Sequence, residues 1–98
     1  MSTTYSIACT SCQQRLWVGQ GSVNPYLYNS PEHRCATEAF LIVHRGHLLI
    51  FGSDDETELA MPDFPRPFVS SDIPAPLFTR LCADHNVTPA ALRDVLEY

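Results

Sequence analysis

The chain has 98 residues and a formal net charge of −5. At this length it forms one small domain, or a compact domain with an appendage, and its core is thin enough that a bound metal or a partner would help it fold. It contains no lysine and its six arginines are scattered, so its composition argues against a general nucleic-acid-binding protein.

Hydropathy gives no indication of a membrane protein. No apolar run reaches the ~20 residues that a membrane span requires. The first residues have neither the basic region nor the apolar segment of a signal peptide. We therefore expect a cytoplasmic protein with no membrane partner, in which the four cysteines serve as metal ligands or free thiols rather than as disulfides.

The first part of the chain has the pattern of short strands. Thr3 to Cys9 alternates with a period of two, which predicts a strand. Arg15 to Val18 predicts a second strand that returns from a turn at Cys9–Cys12. After loop-forming residues, Tyr26–Tyr28 is a third short strand or an extended lead-in.

A helix is expected next. Ser30 suits the N-cap and Pro31 the first helical position, and apolar residues then recur at helical spacing: Cys35, Ala36, Ala39, Phe40 and Val43. A strand over His47–Phe51 would follow. The alternative is a hairpin, in which Phe40–His44 and His47–Phe51 are strands joined at Arg45-Gly46. The sequence favours the helix and leaves the hairpin open.

The second half combines a connector with helices. Ser53 to Glu58 has the composition of an acidic loop, and Met61 to Pro76 carries five prolines, as in an ordered extended connector. Helical stripes follow from Leu77 to Tyr98. The predicted fold class is α+β, with a zinc-binding ββαβ-like module at 1–60, a proline-rich connector at 61–76 and a helical hairpin packed on the module at 77–98.

Two pairs of residues predict a metal site. Cys9 and Cys12 form a C-x2-C pair, and His44 and His47 form an H-x2-H pair. Zinc in structural sites takes four cysteine or histidine ligands in a tetrahedron. Residues three apart share a helix face, and in a two-residue hairpin they lie opposite each other, so both secondary-structure interpretations bring the histidines together. The sequence therefore predicts a closed structural zinc site.

Other interpretations of these residues stay open. His33 and Cys35 could replace the two histidines as ligands, but one ion could not take Cys35 and His44 together, because nine helical residues span about 13.5 Å. The C-x2-C pair could instead be a redox pair, although Gln13–Val18 lacks the helical pattern that follows such pairs. Free thiols and ordinary surface histidines are the remaining interpretation.

Residues 5–51 resemble Cys2His2 zinc-finger and zinc-ribbon-like modules in their order of strand, C-x2-C turn, strand and helix with paired histidines. The resemblance implies a zinc-ligand role for Cys9, Cys12, His44 and His47. It implies no DNA-reading role, because 31 residues separate the pairs here, against about 12 in the nucleic-acid-binding finger. Residues 77–98 resemble a helix-turn-helix in the positions of their apolar and turn residues.

These features predict a small non-enzymatic zinc-binding protein that acts as an interaction or regulatory module. Trp17, Tyr26 and Tyr28 are candidates for a surface that contacts a protein partner or a second copy, and the alternative is that they belong to the core. The chain shows no recognisable catalytic constellation. A helix-turn-helix DNA-binding regulator and a metal- or thiol-dependent enzyme are the alternative functions.

Overall fold

The fold is α+β, as predicted, and the computed structural model describes residues 3–61 and 65–97. Contacts divide the chain into two units, one formed by 1–28 and 46–67 and the other by 29–45 and 68–98. This division groups the chain differently from the predicted ranges 1–60, 61–76 and 77–98. None of the helices in the described part is long and apolar enough to cross a membrane.

The first unit is built on a sheet. Its elements are β1 (Thr4–Cys9), β2 (Gln14–Gln20), β3 (Tyr26–Leu27), β4 (Leu49–Ser53), α2 (Asp54–Ala60) and β5 (Arg66–Pro67). The sheet order is β3-β2-β1-β4 with antiparallel neighbours, and β5 pairs with β2 in parallel. The β1–β2 hairpin and the third short strand are therefore confirmed, while β4 begins two residues later than the predicted strand.

A β-bulge in β2 determines which side chains share a face. Tyr5 pairs with Gly19 and Ser6 pairs with Trp17, so Val18 is the extra residue. Because residues opposite each other in an antiparallel pair point to the same face, Trp17 lies on the face of Ser6. Without the bulge, alternation along β2 would place Trp17 and Gln20 on opposite faces.

The acidic segment is helical, so the prediction of a loop over Ser53–Glu58 is wrong. Ser53 Oγ accepts from the Glu56 amide at 3.3 Å, and the Glu56 carboxylate accepts from the Ser53 amide at 2.8 Å. This capping box satisfies two amide donors and starts α2. Asp54 and Asp55 add negative charge at the positive end of the helix, which favours it further.

Replacing Ser53 by alanine is expected to lower the free energy of unfolding by about 1 kcal/mol, because the Glu56 amide loses its acceptor. Urea unfolding followed by circular dichroism measures the change. Ser71→Ala, at an exposed position outside α2, is the control and is expected to change stability by less than about 0.5 kcal/mol. Equal losses in both variants would contradict the proposed role of the capping box.

The second unit is helical. It contains α1 (Pro31–Val43), a short 3-10 helix (Ser70–Asp72), α3 (Ala75–His85) and α4 (Pro89–Leu96). The Ser30 side chain caps α1 by accepting from the His33 amide, as predicted. Helix α1 continues to Val43, so the helix is confirmed over the hairpin alternative.

The core of the second unit lies where α1 packs against α3 and α4. Phe40 and Phe68 are fully buried, and their rings meet edge to face with centroids 5.1 Å apart. Phe68 and Ile73, within the predicted connector, are also buried. Pro62 and Phe64, which belong to the predicted connector, lie outside the described residues.

Candidate metal centre

The turn between β1 and β2 brings the two N-terminal cysteines together. Cys9 ends β1, and its carbonyl accepts a hydrogen bond from the Gln13 amide at 3.0 Å. Gln13 has a left-handed backbone with φ of 55°, which reverses the chain before β2 begins at Gln14. The Cys12 amide lies 3.4 Å from Cys9 Sγ and donates to it, which holds the two cysteines close together.

A second contact holds the segment after Gly46 against this turn. The amide and the hydroxyl of Thr10 both donate to the Leu48 carbonyl, at 3.2 and 3.0 Å. In the adjacent ladder, Cys9 of β1 pairs with Leu49 of β4. His47 precedes these anchored residues, so the backbone presents its side chain to the cysteine turn.

Three predicted ligands meet at this place. His47 Nδ1 lies 3.2 Å from Cys9 Sγ and 3.6 Å from Cys12 Sγ, and all three ligand atoms are within 4.8 Å of one another. With Zn–S of about 2.3 Å and Zn–N of about 2.0 Å, a tetrahedral zinc would separate sulfur and nitrogen by roughly 3.5 Å. The group therefore has the spacing of a metal site.

Hydrogen bonding is the rival explanation of the same distances. A thiol facing an imidazole nitrogen also approaches to between 3 and 4 Å, so the spacing alone allows a thiol–imidazole pair. None of the four cysteines forms a disulfide. The residues after Cys12 form strand β2 rather than a helix, unlike the helix that follows C-x-x-C in thioredoxin-type redox pairs.

His44 lies elsewhere, although the sequence predicts it as a ligand. It follows the last helical residue of α1 and is buried. Its Nδ1 is 2.8 Å from the Phe40 carbonyl oxygen, and since a carbonyl only accepts, Nδ1 carries the proton. The centroid of the His44 ring lies 4.2 Å from that of the Phe40 ring and 5.5 Å from that of the Phe68 ring. In the described part of the chain, His44 thus packs in the helical core and is not one of the grouped ligands.

The alternative ligands His33 and Cys35 also lie outside the group of three in the described residues. His33 is at the start of α1, where its Nδ1 is 2.6 Å from Ser30 Oγ. Cys35 is fully buried in the helical unit. Burial, and then the neighbouring Cys82 and Glu38 side chains, raise the pKa of the Cys35 thiol to about 11. This thiol stays protonated at neutral pH and behaves as a small apolar side chain.

The raised pKa of Cys35 predicts that stability falls at high pH. The unfolded thiol loses its proton above its ordinary pKa of 9.0, while the folded thiol keeps it up to about 11. The contribution of the protonated Cys35 thiol to the free energy of unfolding is therefore complete below pH 9 and is lost as pH rises towards 11. Unfolding of wild type and Cys35→Ala, measured between pH 8 and pH 11, is expected to show a shallower pH slope in the variant. Identical slopes would contradict this role.

The segment that resembles a helix-turn-helix forms a helical hairpin. Asn86 ends α3 with a left-handed backbone, and Thr88 caps α4 by accepting from the Ala91 amide. In α4, the guanidinium carbon of Arg93 is 5.2 Å from the centroid of the Phe78 ring. Arg93 thus makes a cation–π contact within the hairpin. DNA binding by residues 77–98 stays a prediction.

Two residues that position the candidate ligands could not be recognised from the sequence. Gln13 takes a backbone conformation that glycine or asparagine usually supplies, so its residue type gives no indication of the turn. Thr10 fixes the site through a hydrogen bond to Leu48, which is 38 positions away in sequence.

Comparison of the chain with family models, curated proteins and solved structures finds no match.

Proposed function

We propose that the chain is a small, non-enzymatic zinc-binding module that presents a surface to another protein. The observation that carries the proposal is the convergence of Cys9, Cys12 and His47, whose ligand atoms lie within 4.8 Å of one another. A metal there would join the β1–β2 turn to the segment that leads into β4. It would thus stabilise a unit whose apolar core is small.

The donor set favours zinc. Thiolate sulfur and imidazole nitrogen are the usual zinc ligands, whereas calcium and magnesium prefer oxygen. Two thiolates neutralise the charge of the ion, so the protein can hold it without additional acidic side chains. The site requires reduced cysteines, which suits a reducing compartment such as the cytoplasm.

An aromatic surface in the same unit is the proposed contact region. Because of the bulge in β2, Trp17 shares a sheet face with Gln20, which pairs with Tyr26. Gln20 Nε2 donates to the Tyr26 hydroxyl at 2.6 Å, and the Tyr28 hydroxyl donates to Gln20 Oε1 at 3.1 Å. These bonds hold two tyrosine rings in an edge-to-face arrangement with centroids 6.3 Å apart. We name Trp17, Tyr26 and Tyr28 the aromatic surface.

The exposure and order of the aromatic surface suit protein recognition. Trp17 is 40% exposed and Tyr26 is 53% exposed. The guanidinium carbon of Arg15 lies 4.6 Å from the centroid of the Trp17 ring and restrains it. Aromatic side chains that are ordered before binding lose little entropy on contact and are enriched at interfaces. A protein partner or a second copy of the chain is the proposed binder.

Metal analysis tests the proposed zinc site. We expect one zinc per chain in protein purified without chelator, and less than about a tenth of that in a Cys9→Ser plus Cys12→Ser variant. Cys35→Ala is the matched control and is expected to keep its zinc, because Cys35 is buried in the other unit. Protein without zinc, or a double variant with unchanged zinc content, would overturn the proposal.

A further inference from the structure

We propose that the metal held by Cys9, Cys12 and His47 keeps one coordination position accessible to solvent, and that this position binds an external thiolate. The inference rests on the proposed zinc site. It goes further by assigning the site a ligand class: a free thiol, or the cysteine of another protein, bound through its sulfur.

The ligand count is the first argument. Zinc in proteins is almost always four-coordinate, and sites with three protein ligands complete the tetrahedron with an exchangeable ligand. Among residues 3–61 and 65–97, three cysteine and histidine side chains form the group. The two sulfur–nitrogen distances, 3.2 and 3.6 Å, are close to those around a tetrahedral zinc, so a fourth donor would complete the coordination.

The burial of the three ligands bears on whether solvent can reach the metal. Cys9 is buried at the end of β1, while Cys12 and His47 are exposed. Because two of the three ligands lie at the surface, solvent can reach a metal bound by this group. Leu48, next to His47, is 71% exposed and adds an apolar edge against which a thiol side chain could pack.

The position of Arg66 in the sheet is a further argument for an anionic donor. Arg66 of β5 donates its amide to the Gln13 carbonyl and pairs with Gln14, which places its backbone beside the cysteine turn. The acidic side chains of α2 begin after Ser53, which pairs with Tyr5 near the opposite end of β1. A strand of six residues separates these ends by roughly 17 Å at about 3.3 Å per residue.

The chemistry of the exchange is simple ligand substitution. The zinc bound by two thiolates and a neutral imidazole carries no net charge and is borderline-soft, so sulfur is a suitable fourth donor. An incoming thiol releases its proton to solvent, its sulfur forms a bond to zinc, and the displaced water leaves. The step involves no oxidation or reduction.

Cobalt substitution of the full-length chain tests the inference. Co(II) replaces zinc, and its visible absorption bands report the number and type of ligands. We expect one Co(II) per chain, and a saturable band shift when 2-mercaptoethanol or a short cysteine-containing peptide is added. Cobalt should remain bound after desalting. Tighter binding of the peptide would identify a protein cysteine as the source, and equal binding would identify a free thiol.

Reversing the charge of Arg66 distinguishes the binding of a thiolate from the binding of any small ligand that reaches the metal. Arg66→Glu is expected to weaken thiol binding about threefold through loss of the nearby positive charge, and to leave the binding of neutral imidazole within about twofold. Cys35→Ala is expected to behave as wild type. Bands that do not respond to thiol while Co(II) stays bound would overturn the inference and leave the zinc site standing. Failure to bind Co(II) would overturn both.

Dilution distinguishes a second copy from an external thiol. Bands that change on dilution, together with a dimer in sedimentation, would assign the fourth ligand to a second chain and overturn the inference. A response to imidazole alone would also overturn it, because the position would then be open without taking thiolate.

Discussion

Replacing Cys9 and Cys12 together by serine is expected to cause the largest loss of stability in the unit formed by 1–28 and 46–67. A ligand present at a thousand times its dissociation constant stabilises the folded state by about 4 kcal/mol, and the variant would lose this contribution from the proposed zinc. Thermal unfolding with excess zinc, followed by the fluorescence of Trp17, measures the difference. Trp17 lies on β2, the strand that follows the cysteine turn.

A chelator provides the control for this variant. Removing zinc from the wild-type protein should lower its stability most of the way to that of the double variant, and should leave the double variant unchanged. Since Cys9 is itself buried, a small difference that does not depend on the chelator is expected to remain between the two. Equal unfolding of wild type and variant in excess zinc would contradict the proposal that a metal holds this unit together.

Replacing Phe40 by alanine is expected to lower the free energy of unfolding of the helical unit by about 3–5 kcal/mol. Phe40 is fully buried, and its ring meets Phe68 edge to face. The substitution also removes the ring that packs on His44 at a centroid distance of 4.2 Å. Chemical denaturation followed by far-ultraviolet circular dichroism, which reports helices α1, α3 and α4, measures the loss.

Leu41 is the matched control for Phe40. It is the next residue on α1 and is 43% exposed, so Leu41→Ala keeps the helix and removes little buried surface. We expect a loss below about 1 kcal/mol for this variant. If Leu41→Ala destabilises the protein as much as Phe40→Ala, the helical core described around Phe40 is incorrect.

The local elements could be predicted from the sequence where strong signals lie close together. Ser30 and Pro31 determine the start of α1, and the alternation before Cys9 determines β1. Helix α2 was missed because its acidic residues suggested a loop, although Ser53 and Glu56 have the spacing of a capping box. The grouping of α1 with α3 and α4 depends on packing between distant segments, which local patterns do not contain.

The grouping of candidate ligands depends on a related limit of local patterns. Spacing by three brings two histidines together only when both lie on the same helix or across the same turn. Here α1 ends at Val43, and His44 turns back to the Phe40 carbonyl. Gly46, with φ of 84°, then redirects the chain before His47. The two histidines thus belong to different units, which their spacing alone did not indicate.

The most direct test of the metal centre compares the same substitution at the two histidines. His47→Asn removes the imidazole that faces both sulfurs. His44→Asn retains an N–H that can donate to the Phe40 carbonyl. Zinc content of the folded proteins, measured by elemental analysis after dialysis, is the readout. We predict that His44→Asn keeps one zinc per chain and that His47→Asn loses most of it. Retention by His47→Asn with loss in His44→Asn would contradict the assignment.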